Sequence, residues 1–208
     1  MAAEIPSEVL DSLEAQVAEV ERTTSAEVVV VIARQSGHYR DGALAVGASI
    51  AVIALIGMIY LPVDIPASVV APLTAVAGLL GAALGFRVPA TQRWFTMAER
   101  RQLQVARGAR VSFFDEAVSA TRERTGVLIY YSLLEDEVEV LTDHGVDARI
   151  ARGEWNALIQ EARREAGAGQ WQRTIEQILE RATPLLAEHL PAGDDNPDEI
   201  PNRPRVLS

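Results

Sequence analysis

Hydrophobic and polar residues alternate with different periods along the chain, and each period predicts a different element. Residues 6–22 carry apolar side chains three or four positions apart, which is the spacing of one face of an α-helix. These apolar positions are Val9, Leu13, Val17 and Val20. Residues 28–32 (VVVVI) form an unbroken β-branched run, which is typical of a strand covered on both faces. The chain therefore opens with a predicted helix and a buried strand.

The second half of the sequence repeats this alternation of helix and strand. The predicted elements are a helical segment over about 91–123 with a break near Gly108, an apolar strand over 127–133, a turn at Glu135–Asp136, an alternating strand over 137–141, and helices over about 148–166 and 171–189. Alternation of polar and apolar residues in 137–141 favours an antiparallel edge strand. The whole pattern predicts an α/β fold with a small mixed sheet flanked by helices, in which the first two strands are parallel.

Between these two halves lies a long apolar insert. Its segments Gly42–Leu61 and Ala67–Phe86 contain no charged residue, and each is long enough to cross a bilayer as a helix. The short connection between them holds Asp64 between Pro62 and Pro66, so it predicts a turn that emerges into water. The alternative, a buried soluble hairpin, is disfavoured because so small a domain cannot surround two such helices. We therefore expect an antiparallel transmembrane hairpin.

Arginines flank this hairpin on both sides and are absent from its turn. The flanking arginines are Arg34, Arg40, Arg87, Arg93, Arg100 and Arg101. The positive-inside rule then predicts an inner-membrane protein with its soluble domain and both termini in the cytoplasm. Residues 1–34 show no signal-peptide pattern, so the first span is expected to act as an uncleaved anchor. Small residues recur four positions apart in both spans, as at Gly47 and Ala51 and at Gly81 and Gly85. This spacing predicts close helix pairing, either within the hairpin or with a partner membrane protein.

Composition narrows the function classes. The formal net charge is −10, which disfavours nucleic acid as a partner because the phosphate backbone would be repelled. The sequence contains no cysteine, so disulfides, thiolate nucleophiles and zinc–thiolate sites are excluded. The α/β-hydrolase, zinc-protease and phosphate-loop motifs are also absent. No catalytic motif and no required cofactor are therefore predicted.

Carboxylates provide the remaining candidate chemistry. The tail from Pro191 is acidic and proline-rich and is expected to be irregular. Asp194, Asn196 and Asp198 begin like an EF-hand loop, but that pattern fails at Glu199 and Arg205. Two interpretations stay open: a solvated acidic tail, or a Ca²⁺ or Mg²⁺ site that Asp143 could join from the end of the edge strand.

Several short segments resemble the TPM-domain family. They are TTSAEVVVVIA (23–33), RTGVLIYYSLLEDEVEVLTDHGVDARI (124–150), Trp155, and DEIPNRP (198–204). The resemblance implies an α/β/α sandwich, often tethered to a membrane, with accessory roles beside membrane proteins. It also implies divalent-cation binding or acid phosphatase activity, which have been attributed to some members. The acidic site implied for this chain consists of Asp143, Asp195, Asp198 and Glu199.

The sequence departs from the family at two points. The usual N-E-L-P motif stands here as Asp198–Pro201, so its asparagine is replaced. Many relatives carry a signal peptide and act outside the cytoplasm, whereas this chain has an internal hairpin. The predicted organisation is a first part of the domain, the hairpin, a second part and a tail, over residues 1–41, 42–86, 87–190 and 191–208.

Three functional hypotheses follow. The first is a non-enzymatic, membrane-anchored accessory factor that binds or helps assemble membrane proteins. The second is a phosphatase in which carboxylates hold a cation that polarises a phosphoryl oxygen. The third is a cation-binding domain without turnover. The sequence favours the first.

Overall fold

The computed structural model describes residues 5–37, 40–60, 65–87, 98–193 and 196–207. The helices are α1 (Ser7–Thr23), α2 (Arg40–Tyr60), α3 (Ala67–Arg87), α4 (Ala98–Asp115), α5 (His144–Asp147), α6 (Arg152–Ala166) and α7 (Trp171–His189), and the strands are β1 (Glu27–Ala33), β2 (Gly126–Ser132), β3 (Glu137–Thr142) and β4 (Arg205–Leu207). The chain divides into two compact units, one of Met1–Ser36 with Gln102–Ser208 and one of Gly37–Arg101.

The four strands of the first unit form one mixed sheet in the order β3-β2-β1-β4. Strands β1 and β2 are parallel, with Glu27 opposite Gly126, and β3 is antiparallel to β2 at one edge. The parallel pair and the edge position of β3 were both predicted from the sequence, and both are confirmed. The apolar helices α2 and α3 lie in the crossover between β1 and β2.

Alternate residues of β1 supply the two cores on either side of the sheet. Val28, Val30 and Ile32 belong to a cluster that includes residues of α1, α6 and α7. Val29 and Val31 belong to a second cluster with Val105, Ala109 and Phe113 of α4. All seven residues of β1 are buried, which explains why its sequence is continuously apolar after Glu27. The unit is therefore an α/β/α sandwich, as expected.

Two helix predictions need correction. Helix α4 runs without a break from Ala98 to Asp115, although a break was expected near Gly108. A Cβ on Gly108 would lie 2.5 Å from the hydroxyl of Tyr130, so this glycine allows close packing of the helix on the sheet. The predicted helix over 148–166 begins only at Arg152 and is preceded by the separate short helix α5. Residues 88–97, which belonged to the predicted segment 91–123, lie outside the described residues.

The tail is not irregular throughout, which corrects a further expectation. Arg205–Leu207 pairs in parallel with Val31–Ala33 of β1 and forms the second edge of the sheet. Ile200 is buried in the core beside α4, so the tail is fixed to the domain before it reaches this edge. A strand of three residues after several prolines carries too little periodicity to be recognised from the sequence.

The second unit contains the antiparallel pair α2 and α3. A Cβ on Gly47 would lie 2.7 Å from the carbonyl oxygen of Gly78, and one on Gly85 would lie 2.9 Å from the Cα of Ala43. The small residues therefore pair the two helices with each other, one of the two arrangements left open by the sequence. Both helices are long and apolar enough to cross a membrane, by length and composition alone.

Candidate cation site

Two buried glutamates lie where α1 leads into β1. Glu21 is in the last turn of α1, four residues after the buried Val17, so helical geometry places it on the apolar face. Glu27 is the first residue of β1. Only 6% of Glu21 and 5% of Glu27 is exposed. Glutamates are rarely buried to this extent unless they have partners, so both side chains require an account of their contacts.

Glu21 is only partly satisfied by its neighbours. Its Oε1 accepts a 2.9 Å hydrogen bond from the backbone N–H of Val28. Its Oε2 is buried and has no hydrogen-bond donor of normal geometry in the described part of the chain, although the side chain of Asn202 comes close enough to lower the pKa. The pKa of Glu21 is raised to about 8, mainly by burial and in part by the nearby charges of Glu27 and Asp198.

Glu27 holds the tail against the start of the sheet. Its Oε2 accepts backbone N–H hydrogen bonds from Ile200 at 3.1 Å and from Glu199 at 3.3 Å. Burial raises the pKa of Glu27, these two donors lower it, and the negative charges of Asp198 and Glu199 raise it again. The net pKa of Glu27 is above its usual range, so its environment resists an uncompensated negative charge.

Asp198 completes a cluster of three carboxylates. One oxygen each of Glu21, Glu27 and Asp198 lies within 4.8 Å of the others. Glu21 and Glu27 are buried, whereas Asp198 is exposed. We call these three residues the carboxylate cluster. Carboxylate oxygens that converge in this way suit a hard divalent cation, whose charge offsets their mutual repulsion.

Asn202 and a neighbouring cavity extend the cluster. The Oδ1 atom of Asn202 is buried and has no hydrogen-bond partner among the residues that the structure describes. Amide oxygens are also ligands for Ca²⁺ and Mg²⁺. A cavity of about 540 Å³ opens beside the cluster, and Asp198 and Asn202 line it together with Asp11 and Glu14. Arg203 pairs with Asp11 at 2.9 Å and with Glu14 at 3.0 Å, and Asp198 is the member of the carboxylate cluster in the cavity lining.

The local chain path explains why the tail reaches the glutamates. The side-chain amide of Asn196 donates to the backbone carbonyls of Glu21 and Thr24, at 2.9 and 3.0 Å. These bonds satisfy carbonyl groups at the end of α1 that the helix itself leaves free. Asn196 therefore joins the tail to α1 two residues before Asp198.

The acidic residues that the sequence predicted as a site have different surroundings in the structure. Asp198 belongs to the carboxylate cluster. Glu199 contributes its backbone N–H to Glu27, while its carboxylate accepts a 3.0 Å hydrogen bond from the backbone N–H of Arg122. Asp195 lies outside the described residues.

Asp143 lies at the end of β3 with other partners. Its oxygens accept hydrogen bonds from the guanidinium of Arg124 at 2.7 and 2.9 Å, and Oδ1 also accepts from the backbone N–H of His144 at 2.7 Å. Asp143 is thus an N-cap of α5 and the buried half of an ion pair. It is not part of the carboxylate cluster.

Glu21 and Glu27 were not predicted as site residues from the sequence. A signal was present for both residues. Glu21 interrupts the apolar stripe of a predicted helix, and Glu27 directly precedes an unbroken strand that is covered on both faces. A carboxylate on a buried face, followed six residues later by another at the start of a buried strand, points to a shared partner.

Comparisons with known proteins support the fold. No protein-family model matches the chain, and no curated protein sequence matches it. Among solved structures, the chain is similar to the NMR structure of the BA42 protein from the psychrophilic bacterium Bizionia argentinensis. The TM-score is 0.57 at 16% sequence identity, over 99% of this chain and 97% of that chain. BA42 has a TPM-like fold, and the same fold is present here.

Proposed function

We propose that this protein is a membrane-anchored TPM-like module whose soluble domain binds a divalent cation at the carboxylate cluster. The observation that carries the proposal is the buried Oε2 of Glu21, which has no hydrogen-bond donor of normal geometry among the described residues and lies in a group of three convergent carboxylates. Glu21, Glu27 and Asp198 would hold the ion, and the Oδ1 of Asn202 is a further oxygen for it. The ion would supply the positive charge that these side chains lack.

Calorimetry and thermal unfolding of the full chain in nanodiscs test the cation site. At a pH above 8, added CaCl2 or MgCl2 is expected to raise the unfolding temperature, and at 100 times the dissociation constant an ion stabilises the folded state by about 2.7 kcal/mol. Glu21→Gln should abolish this effect, because it removes a ligand charge while it keeps the shape of the side chain. Glu188→Gln makes the same change at an exposed position of α7 and should keep it. The site would be refuted if the added cation stabilised both variants equally, or if it did not stabilise the wild type.

The same preparations distinguish binding from turnover. A bound cation can polarise a phosphoryl oxygen, which is the basis of the phosphatase hypothesis. Hydrolysis of a generic phosphomonoester that requires the cation and is lost in Glu21→Gln would establish the phosphatase. Cation binding without hydrolysis would favour the binding module.

The proposed anchor is the helical pair α2 and α3. Their length and apolar composition support a membrane hairpin, and the arginines on both flanks support a cytoplasmic location for the soluble domain and both termini. A reporter fused after Ser208 should be active in the cytoplasm, and one inserted next to Asp64 should be active only on the opposite side. A periplasmic signal from the C-terminal fusion would contradict this topology.

An accessory role beside another membrane protein is the second candidate function. A groove of about 930 Å³ runs along the hairpin, and small residues such as Ala48, Ala51 and Ala75 line it. Small residues allow the backbone of a further transmembrane helix to approach closely. Ala48→Phe should reduce co-purification of a stoichiometric membrane partner, whereas Ser49→Phe at the adjacent exposed position should not. Equal recovery with both variants would contradict this use of the groove.

A further inference from the structure

Helix α4 has apolar residues on two opposite sides. Its buried side consists of Val105, Ala109, Ser112 and Phe113, three of which pack in the core beside the sheet. On the other side, Leu103, Val111 and Phe114 are 59%, 60% and 70% exposed. A helix that only covers a core has a polar outer side, so these three large apolar side chains are unexplained by the fold.

Arginines lie between the exposed apolar residues. Leu103, Arg107, Arg110 and Phe114 follow one another at intervals of four, three and four, which places them in one row along the helix. Val111 lies beside this row. We call these five residues the outer face of α4. Arg107 and Arg110 are exposed. Burial raises the pKa of Glu139 of β3, and the nearby charge of Arg110 offsets part of this rise.

The outer face contrasts with the charge of the whole molecule. The chain has a formal net charge of −10, yet this face combines two arginines with three large apolar side chains. The acidic residues beside it on the helix are Glu99, four residues before Leu103, and Asp115, directly after Phe114. Basic residues interleaved with leucine and phenylalanine on one side of a helix are typical of segments that lie in a membrane interface. Anionic headgroups would attract the arginines, and the acyl boundary would accept the apolar side chains.

Two connections set an upper limit on the distance between α4 and any membrane that the hairpin crosses. Residues 88–97 join α3 to α4, and residues 34–39 join β1 to α2. At no more than about 3.6 Å per residue, these connections span at most about 40 Å and about 25 Å. Since α4 packs on β1, both connections limit its distance from the bilayer. Tethering of this kind turns a weak surface contact into an effective one.

We infer that the outer face of α4 docks onto the anionic lipid surface of the membrane in which the hairpin is anchored. This inference rests on the proposed membrane hairpin and adds a second contact, made by the soluble domain itself. The occupant is the lipid headgroup layer, because it offers negative charge and an apolar boundary together at a distance that both connections permit. Docking would hold the soluble domain in a fixed orientation to the bilayer.

The absence of cysteine allows a direct test with single labelled positions. Val111→Cys carries a polarity-sensitive fluorophore on the outer face, Glu188→Cys serves as the exposed control on α7, and Ile53→Cys reports on the hairpin, where Ile53 is 67% exposed. The full chain is reconstituted in vesicles of phosphatidylcholine alone or of equimolar phosphatidylcholine and phosphatidylglycerol. Nitroxide-labelled lipids then quench a fluorophore that lies in the interface.

Quenching at Val111→Cys in the anionic vesicles, with little in phosphatidylcholine or at high salt, is the expected result. Arg107→Gln and Arg110→Gln should each weaken docking about fivefold, the contribution of one basic residue near an anionic surface. The label at Glu188→Cys should stay accessible to water in all vesicles.

Two outcomes would overturn the inference in different ways. Quenching at Ile53→Cys without quenching at Val111→Cys would reject the docking surface and leave the hairpin intact. No quenching at either position would reject the membrane hairpin as well. The fluorophore at Val111→Cys could also become shielded from water in a way that depends on protein concentration and not on anionic lipid. That result would overturn the inference and would assign the outer face to a second copy of the chain.

Discussion

The Oε1 atom of Glu21 accepts a 2.9 Å hydrogen bond from the backbone N–H of Val28. This bond joins the last turn of α1 to the second residue of β1, across the loop that contains Thr24 and Ser25. It places a carboxyl group inside the protein, close to Glu27 and Asp198. The local geometry thus fixes Glu21 in a position where its negative charge is costly unless a proton or a cation compensates it.

The first prediction concerns the pH dependence of stability without a cation. The pKa of Glu21 is about 8 in the folded protein and its ordinary value is 4.5, so the folded state retains a proton that the unfolded state releases. The protonation of Glu21 therefore contributes to the stability of the folded state. This contribution is complete below about pH 4.5 and is lost as the pH rises through about 8. Its size is on the order of a few kcal/mol, at about 1.4 kcal/mol per pKa unit.

Unfolding of the full chain in chelator at a series of pH values checks this prediction. Other carboxylates also titrate, so the quantity to compare is the difference between wild type and Glu21→Gln. The variant should become more stable relative to wild type as the pH rises from 5 to 8, whereas Glu188→Gln should follow wild type throughout. A constant difference between Glu21→Gln and wild type would show that Glu21 is ionised in the folded protein.

A second prediction concerns Asp198, the exposed member of the carboxylate cluster. Asp198→Asn should lower cation affinity by at least the roughly 10–100-fold that outer-shell partners of a metal contribute, because it removes a charged ligand. It should also lower the pKa of Glu21, since the charge of Asp198 raises that pKa. Calorimetric titration with CaCl2 measures the affinity. Asp115→Asn, at the exposed end of α4, is the matched control and should bind as wild type does.

The sequence predicted the scaffold of this site better than the site itself. The strands β1, β2 and β3 follow from runs of β-branched residues and from one alternating segment, because burial on two sides or on one leaves a direct trace in the pattern. Asp198 was predicted as a cation ligand because it lies in an acidic tail.

Glu21 and Glu27 were not selected from the sequence, since each is a single acidic residue in a segment that otherwise indicates helix or strand. The turn between α1 and β1 brings Glu21 close to Glu27. The return of the tail through Asn196, whose contacts with α1 and its end span 175 and 172 positions of sequence, brings Asp198 to both. Such long-range contacts have no local period, so only the folded structure brings the three carboxylates together.

A third prediction separates Asp143 from cation binding. Asp143→Asn should reduce stability by about 1–3 kcal/mol, because the buried side chain loses its charge-assisted hydrogen bonds with Arg124. Cation affinity should stay unchanged, since Asp143 is not part of the carboxylate cluster. Denaturant unfolding and calorimetry on the same sample measure both quantities. Loss of cation binding in a folded Asp143→Asn protein would return Asp143 to the site.

A fourth prediction concerns the contact of α4 with the sheet. Gly108→Ala should destabilise the domain by about 1–3 kcal/mol, the usual cost of overpacking, although alanine favours a helix. The new Cβ would meet the Tyr130 hydroxyl at 2.5 Å, and this tyrosine is buried and hydrogen-bonded to Ser36. Gly153→Ala in α6 is the matched control, because a Cβ there has no neighbour within 4 Å in the described ranges of the chain. Gly108→Ala should lower the unfolding temperature relative to wild type, and Gly153→Ala should raise it. Equal stabilisation by both would contradict the close packing.

The last prediction concerns the pairing of α2 with α3. Gly47→Leu should separate the two helices by a few ångström, because a side chain at this position collides with the backbone of Gly78 and interaxial distances depend on the side chains at the contact. Spin labels on Leu44→Cys and Leu84→Cys, both exposed near the same end of the antiparallel pair, report the separation in nanodiscs. Ser49→Leu adds a similar side chain at an exposed position and should leave the distance unchanged. If Gly47→Leu also leaves it unchanged, the close glycine contact does not determine how the two helices pair.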